Sequence, residues 1–223
     1  MNLIDRWTSL FESGDAAVDA AVTAAGLDLI ARYEEPHRRY HTVRHLIEVL
    51  DVVGELASEA DDLDAVRLAA WFHDVVYESG AGHAADDVSN EEASALLAEL
   101  VLGDLGVPAP RVAEAARLVR LTEKLAADSG DRNASVLFDA DLAILAAEPS
   151  RYEQYTQAVR EEYREIPEEL FRPGRAQILG ALLQAPALYR TPAAYARFES
   201  RARANVTAEI ARLTSPPSSP PPK

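Results

Sequence analysis

One dipeptide constrains this chain more than any other feature. His73-Asp74 interrupts the otherwise apolar stretch Leu68-Ala69-Ala70-Trp71-Phe72-His73-Asp74-Val75-Val76-Tyr77. Such a stretch belongs in a core, where ionisable groups are tolerated only when hydrogen-bonded, paired or bound to a metal. The fold must therefore bring partners to this pair. A core histidine satisfied by a neighbouring carboxylate and a metal ligand are both open readings of it. The histidines as a set narrow the search, because all five lie between His37 and His83. His41 and His45 are spaced for one helix face, with Cβ atoms roughly 6 Å apart. Two imidazoles so placed can approach one ion, although a pair at this spacing is by itself more often a surface or capping pair. Arg39 and Tyr40 suggest a helix start, so that His41 caps or lines a pocket while His45 points inward. A late acidic element, Phe138-Asp139-Ala140-Asp141-Leu142, supplies two carboxylates. Both would favour the dipole of a helix N-terminus; in the functional reading one of them, Asp141, closes a metal sphere. His37 and His83 sit in polar surroundings and are expected to be exposed.

The scaffold for these residues reads as all-α. Alanine and leucine are abundant, glycine is scarce and β-branched alternation is missing. Helices are predicted over residues 2–12, 15–34, 42–59, 63–78, 89–103, 109–125, 135–147, 149–164, 168–185 and 192–213. Thr191-Pro192 has the form of an N-cap followed by proline at the first helical position. Ser89-Asn90-Glu91-Glu92 fits a capping box. Tyr152, Tyr155 and Tyr163 lie close together in one helix and read as core packing. A single domain is expected over 1–214. The Pro/Ser-rich 215–223 is expected to be a disordered or polyproline-like tail.

Charge and composition exclude some partners. The chain has 22 basic and 37 acidic residues, a net charge of −15. That disfavours a nucleic-acid duplex or an anionic membrane, which call for a basic surface. A small phosphorylated substrate remains compatible, since one divalent ion and a few arginines make a local positive pocket. There is no cysteine, so thiolate sites and disulfides are excluded. No apolar run of about 18 residues suggests a membrane span. The first residues lack a basic segment followed by an apolar core, so no signal peptide is expected and a cytoplasmic location is. The sequence leaves a homodimer open.

The order His45, then His73-Asp74, then Asp141 resembles the HD-domain metal-dependent phosphohydrolase superfamily, an all-helical fold with an H…HD…D ligand set. The segments carrying the resemblance are Arg39–Leu46, Trp71–Tyr77, Ser89–Ala95 and Phe138–Leu145. Gly174–Leu179 and Leu188–Thr191 add to it, and the whole spans residues 39–213. It is similar to one branch of predicted bacterial phosphohydrolases. The resemblance implies that His45, His73, Asp74 and Asp141 ligate a divalent metal. Such a nitrogen and oxygen set suits manganese, iron, cobalt, nickel, magnesium or zinc without distinguishing them. It implies hydrolysis of a phosphate ester, a nucleotide or a related small molecule. His41 becomes an alternative first ligand or a pocket residue. Asp74 or Glu91 would accept the proton of the attacking water. Asn90 could reach the site from the next helix, its alternative being a capping role. Arg172 and Arg175 could clamp a phosphate, the alternative being a solvated pair. Several related groups carry a further histidine three residues after a threonine, where Thr122 is followed here by Leu125. That departure motivates a second reading, a nucleotide- or metal-binding module without turnover. A helical interaction protein with no metal is a third.

Overall fold

The computed structural model describes residues 2–11, 15–78, 88–124 and 130–215. Among these the chain forms ten α-helices, two short 3-10 segments and no strand. The helices are α1 (Leu3–Thr8), α2 (Ala16–Tyr33), α3 (Val43–Glu55), α4 (Leu63–Phe72), α5 (Asn90–Asp104), α6 (Ala109–Thr122), α7 (Arg132–Asp141), α8 (Pro149–Glu162), α9 (Glu168–Gln184) and α10 (Pro192–Thr214). They make one all-α domain around one core. No helix among the described residues is long and apolar enough to cross a membrane. The segment 216–223, His83 and Leu125 lie outside the described residues.

Helix α4 is central because it has no polar face. Every residue from Ala65 to Phe72 except Arg67 is buried. A helix apolar on nearly all sides must be surrounded, and α3, α5, α6 and α7 all pack on it. Helix α3 presents His45, Leu46, Val49, Leu50 and Val53 inward. His45 therefore sits on a core stripe with Val49 and Val53, one and two turns further on. Helix α7 buries Val136 through Ala140 and packs against both α3 and α4.

Several helix ends differ from their predicted positions, and two of these differences shape the site. The prediction carried α4 through residue 78, yet it stops at Phe72 with His73 as its C-cap. Arg38 meets the chain just beyond the stop. Its guanidinium is 3% exposed and donates to the carbonyls of Asp74 (2.7 Å) and Val75 (3.0 Å). Carbonyls that a longer helix would have satisfied are thus satisfied by a side chain. The second difference is at α7. The predicted helix 135–147 divides at Asp141, beyond which Leu142–Ala146 is a 3-10 turn.

The predicted caps are present. The Thr191 hydroxyl accepts from the Ala194 amide at 3.2 Å. The Ser89 hydroxyl accepts from the Glu92 amide at 3.2 Å. The Glu92 carboxylate, however, turns to Arg120 at 2.7 and 2.9 Å, so only half of the box forms.

Gly26 marks the tightest helix contact. A Cβ there would stand 2.3 Å from Trp7 Cδ1 and 2.7 Å from Ile4 Cδ1. Trp7 has little room to retreat. It is fully buried, donates to the Val22 carbonyl at 2.7 Å and stacks edge-on against Trp71 at 5.2 Å. Gly26→Ala is expected to cost about 1–3 kcal/mol through overpacking, read as a lower urea midpoint. An unchanged midpoint would mean that α1 gives way freely.

Candidate metal centre

Three helix ends meet at one point. The C-termini of α4 and α7 deliver His73, Asp74 and Asp141, and the first turn of α3 delivers His45. Helix C-termini carry partial negative charge and N-termini partial positive charge, so the ends of α4 and α7 favour a cation and the start of α3 offsets part of that. Because α4 has ended, His73 and Asp74 need not diverge as successive helical residues do. Both reach the same place, with His73 Nε2 3.1 Å from Asp74 Oδ2. His45 Nε2 lies 3.1 Å from His73 Nε2, 3.3 Å from Asp74 Oδ2 and 3.2 Å from Asp141 Oδ1. His73 Nε2 is 3.8 Å from Asp141 Oδ1.

The donor set fits a divalent ion. His73 Nδ1 is 2.8 Å from the Ala70 carbonyl, an acceptor that makes Nδ1 the protonated nitrogen and leaves the Nε2 lone pair facing the cluster. Two buried imidazole nitrogens 3.1 Å apart, flanked by carboxylates, call for a positive charge between them. Donor atoms of His45, His73 and Asp141 all lie within 4.8 Å of one another. Asp74 reaches both imidazoles but stands outside that mutual spacing, so the compact set is a triad with Asp74 beside it.

Protons hold the cluster together when no ion does. Burial opposes charging His45, but hydrogen bonds to Asp141 and Asp74 outweigh it and push its pKa up to about 10. His73 is raised in the same way, chiefly by Asp74 against burial. Burial works against the Asp74 anion too, yet the charges of His73 and His41 hold it well below the usual carboxylate range. An incoming ion must displace the His45 proton, so metal affinity should rise with pH by up to about tenfold per unit for each proton displaced. Titration of the apo-protein with manganese at several pH values from 6 to 9 checks this. A flat affinity would remove His45 from the ligand set.

The two late aspartates part company. Asp139 is fully buried and faces away from the cluster. It accepts from the amides of Arg190 (2.8 Å) and Thr191 (2.7 Å) and from the Thr191 hydroxyl (2.7 Å), fixing the start of α10. Both residues lie in the last turn of α7, not near its N-terminus, so the dipole reading does not apply to them.

His41 precedes α3 instead of sharing its face with His45. Its ring stands 5.6 Å from the His45 ring and 4.1 Å from that of Tyr77. Its Nδ1 lies 2.8 Å from Glu162 Oε2. Glu162 is 5% exposed, and its other oxygen accepts from three successive amides, those of Arg39, Tyr40 and His41, at 2.7, 2.8 and 3.0 Å. The Tyr77 hydroxyl adds a bond at 3.2 Å. Burial raises the Glu162 pKa, but His41 and these amides win and bring it down to about 2. Neither Glu162 nor Arg38 was singled out from sequence. Glu161-Glu162 has the look of a solvated pair, and no local signal distinguishes its buried member.

The other sequence candidates make their hydrogen bonds to residues outside the cluster. Asn90 exchanges hydrogen bonds with the Glu78 backbone at 3.2 and 3.1 Å. Glu91 makes no hydrogen bond or ion pair among the described residues. Arg172 donates to the carbonyls of Arg212, Leu213 and Ser215 at the end of α10. Arg175 forms a layer behind the site, bonded to Tyr155 (2.6 Å) and Glu209 (3.0 Å). Tyr155 in turn packs on Tyr40, and Tyr40 on His45. Tyr152 and Tyr155 are core residues as expected, whereas Tyr163 caps the end of α8, half-buried, with its hydroxyl bonded to that of Tyr77. His37, with a side chain 45% exposed, bonds to the Tyr77 carbonyl at 2.8 Å.

No family model, curated protein or solved structure matches this chain. The centre must be read from its own chemistry. His45 and Asp141 also line a cleft of about 360 Å³. Its arginines are Arg151, Arg197 and Arg201, not the Arg172 and Arg175 suggested by sequence. None of the three was singled out from sequence.

Proposed function

We propose that this chain is a divalent-metal-dependent phosphohydrolase of the HD type, acting on a phosphate ester such as a nucleotide or a related small molecule. One observation carries the reading: His45, His73, Asp74 and Asp141, distant in sequence, meet within 3.1–3.8 Å contacts at the edge of an open cleft. His45, His73 and Asp141 would hold the ion, with Asp74 beside it. Such an ion supplies Lewis acidity toward a phosphoryl oxygen and a water. Asp74 is the proton acceptor in this reading, because its carboxylate stands beside the ion and touches both imidazoles. Glu91 has no such contact. His41, with Nδ1 committed to Glu162, keeps Nε2 for a substrate oxygen.

The test is direct. Purified protein supplied with manganese, cobalt or nickel is expected to hydrolyse a generic aryl phosphate and to lose that activity to a chelator. Saturable metal binding with no product from a broad panel of phosphoesters would replace the enzyme by a metal-binding module. Failure to bind any of these ions would end the proposal.

A further inference from the structure

The cleft beside the cluster has a second wall that the cluster does not use. Arg151 from α8 and Arg197 and Arg201 from α10 line it, next to Val49, Val52 and Phe198. Three arginines on one cleft run against the net charge of −15.

They are not equivalent. The Arg151 side chain is 18% exposed and grips Glu48 through two nitrogens at 3.0 and 2.7 Å. Its guanidinium also lies 6.0 Å over the Tyr40 ring, the ring that packs on His45 at 4.7 Å. It is a fixed wall, tied by one aromatic ring to the cluster. Arg197 and Arg201 sit one turn apart on α10 and are 59% and 53% exposed. Their partners, Glu55 and Glu148, are themselves 47% and 70% exposed. Exposed pairs of this kind contribute little, so a dianionic phosphate can displace both carboxylates at small cost. The guanidinium fork then matches phosphate oxygens two at a time. Glu48, Asp51 and Glu55 also line the cleft. With Asp141 they offset the charge of the arginines, so a phosphate must compete with Glu55 and Glu148 for Arg197 and Arg201.

We propose that Arg197 and Arg201, backed by Arg151, form a subsite for a second phosphate of the substrate, so that the preferred substrates carry a phosphate beyond the one hydrolysed. The identity of the ligand rests on the phosphohydrolase reading; the binding of a phosphate anion does not. Two measurements on the full chain separate them. In the first, inorganic pyrophosphate is titrated calorimetrically into protein held in chelator. Wild type should bind saturably, and the R197A/R201A double variant at least about tenfold more weakly, the loss expected for removing charge-assisted hydrogen bonds. Circular dichroism of the variant should show the wild-type fold, and R197K/R201K should recover part of the affinity. In the second, a nucleoside 3′,5′-bisphosphate and the matching 5′-monophosphate are compared with manganese present. The wild-type ratio of kcat/KM should favour the bisphosphate by about tenfold or more and fall toward one in the double variant. Pyrophosphate binding and substrate preference both unmoved by R197A/R201A would overturn the subsite even if hydrolysis is robust. Arginine-dependent pyrophosphate binding without hydrolysis of any phosphoester would retain the subsite and overturn the enzyme.

Discussion

The His73→Ala/Asp74→Ala double variant is expected to carry no metal and to hydrolyse phosphoesters at the uncatalysed rate. Loss of a residue that merely orients a metal ligand costs about 10–100-fold, so removing a ligand and the carboxylate touching both imidazoles should exceed that in affinity alone. His73 is 2% exposed and caps α4, so part of any loss could come from the fold. Asp141→Asn separates the two causes. It is isosteric, its side chain is 23% exposed, and it removes the anion without emptying the core. Metal analysis after dialysis, a phosphatase assay and a melting curve in chelator distinguish the outcomes. Undiminished turnover in the double variant would exclude this centre. A melting temperature like wild type with all metal lost would assign these residues to chemistry instead of folding.

The second large effect concerns Glu162. Glu162→Ala strips acceptors from three successive amides, of which that of Tyr40 is buried, and from His41 Nδ1 and the Tyr77 hydroxyl. An unsatisfied buried donor costs about 1–3 kcal/mol, and two of these donors, the Tyr40 amide and the Tyr77 hydroxyl, are buried, so a net loss of about 2–4 kcal/mol is expected. Glu162→Gln should lose much less, because its carbonyl can still serve the three amides. The pH dependence has a definite sign. The Glu162 pKa falls in the folded protein from the ordinary 4.5 to about 2. Its contribution is therefore fully present above about pH 4.5 and disappears as pH falls toward 2. The stability gap between wild type and Glu162→Gln should shrink over that interval. Urea titrations at pH 3 and pH 6 check it, and equal gaps would remove the charge on Glu162 from the account. If His41 contacts substrate, Glu162→Gln should also raise KM more than it lowers kcat, a split that a purely structural carboxylate would not produce.

The helices were legible because their signals are short-range. The apolar run of α4, the Thr191-Pro192 cap and the 3.6-residue stripe of α3 each act within a few turns. The same locality explains why the histidines and aspartates could be nominated: ionisable groups in apolar runs demand partners wherever they end up. What stayed hidden depends on elements far apart in the chain. Only packing decides that Asp141 faces the cluster while Asp139, two residues earlier, anchors α10. Only packing brings the Arg38 guanidinium, from the α2–α3 connection, to the Asp74 and Val75 carbonyls where α4 has ended and His73 and Asp74 converge. Glu162 became a buried anion receptor, and Arg151, Arg197 and Arg201 became cleft walls, because helices over a hundred residues beyond His41 and His45 fold back upon them. Sequence alone thus determined the helical elements and the chemical alphabet of the centre. Tertiary structure chose which letters meet, since side-chain convergence is a property of how helices cross and not of the residues along any one of them.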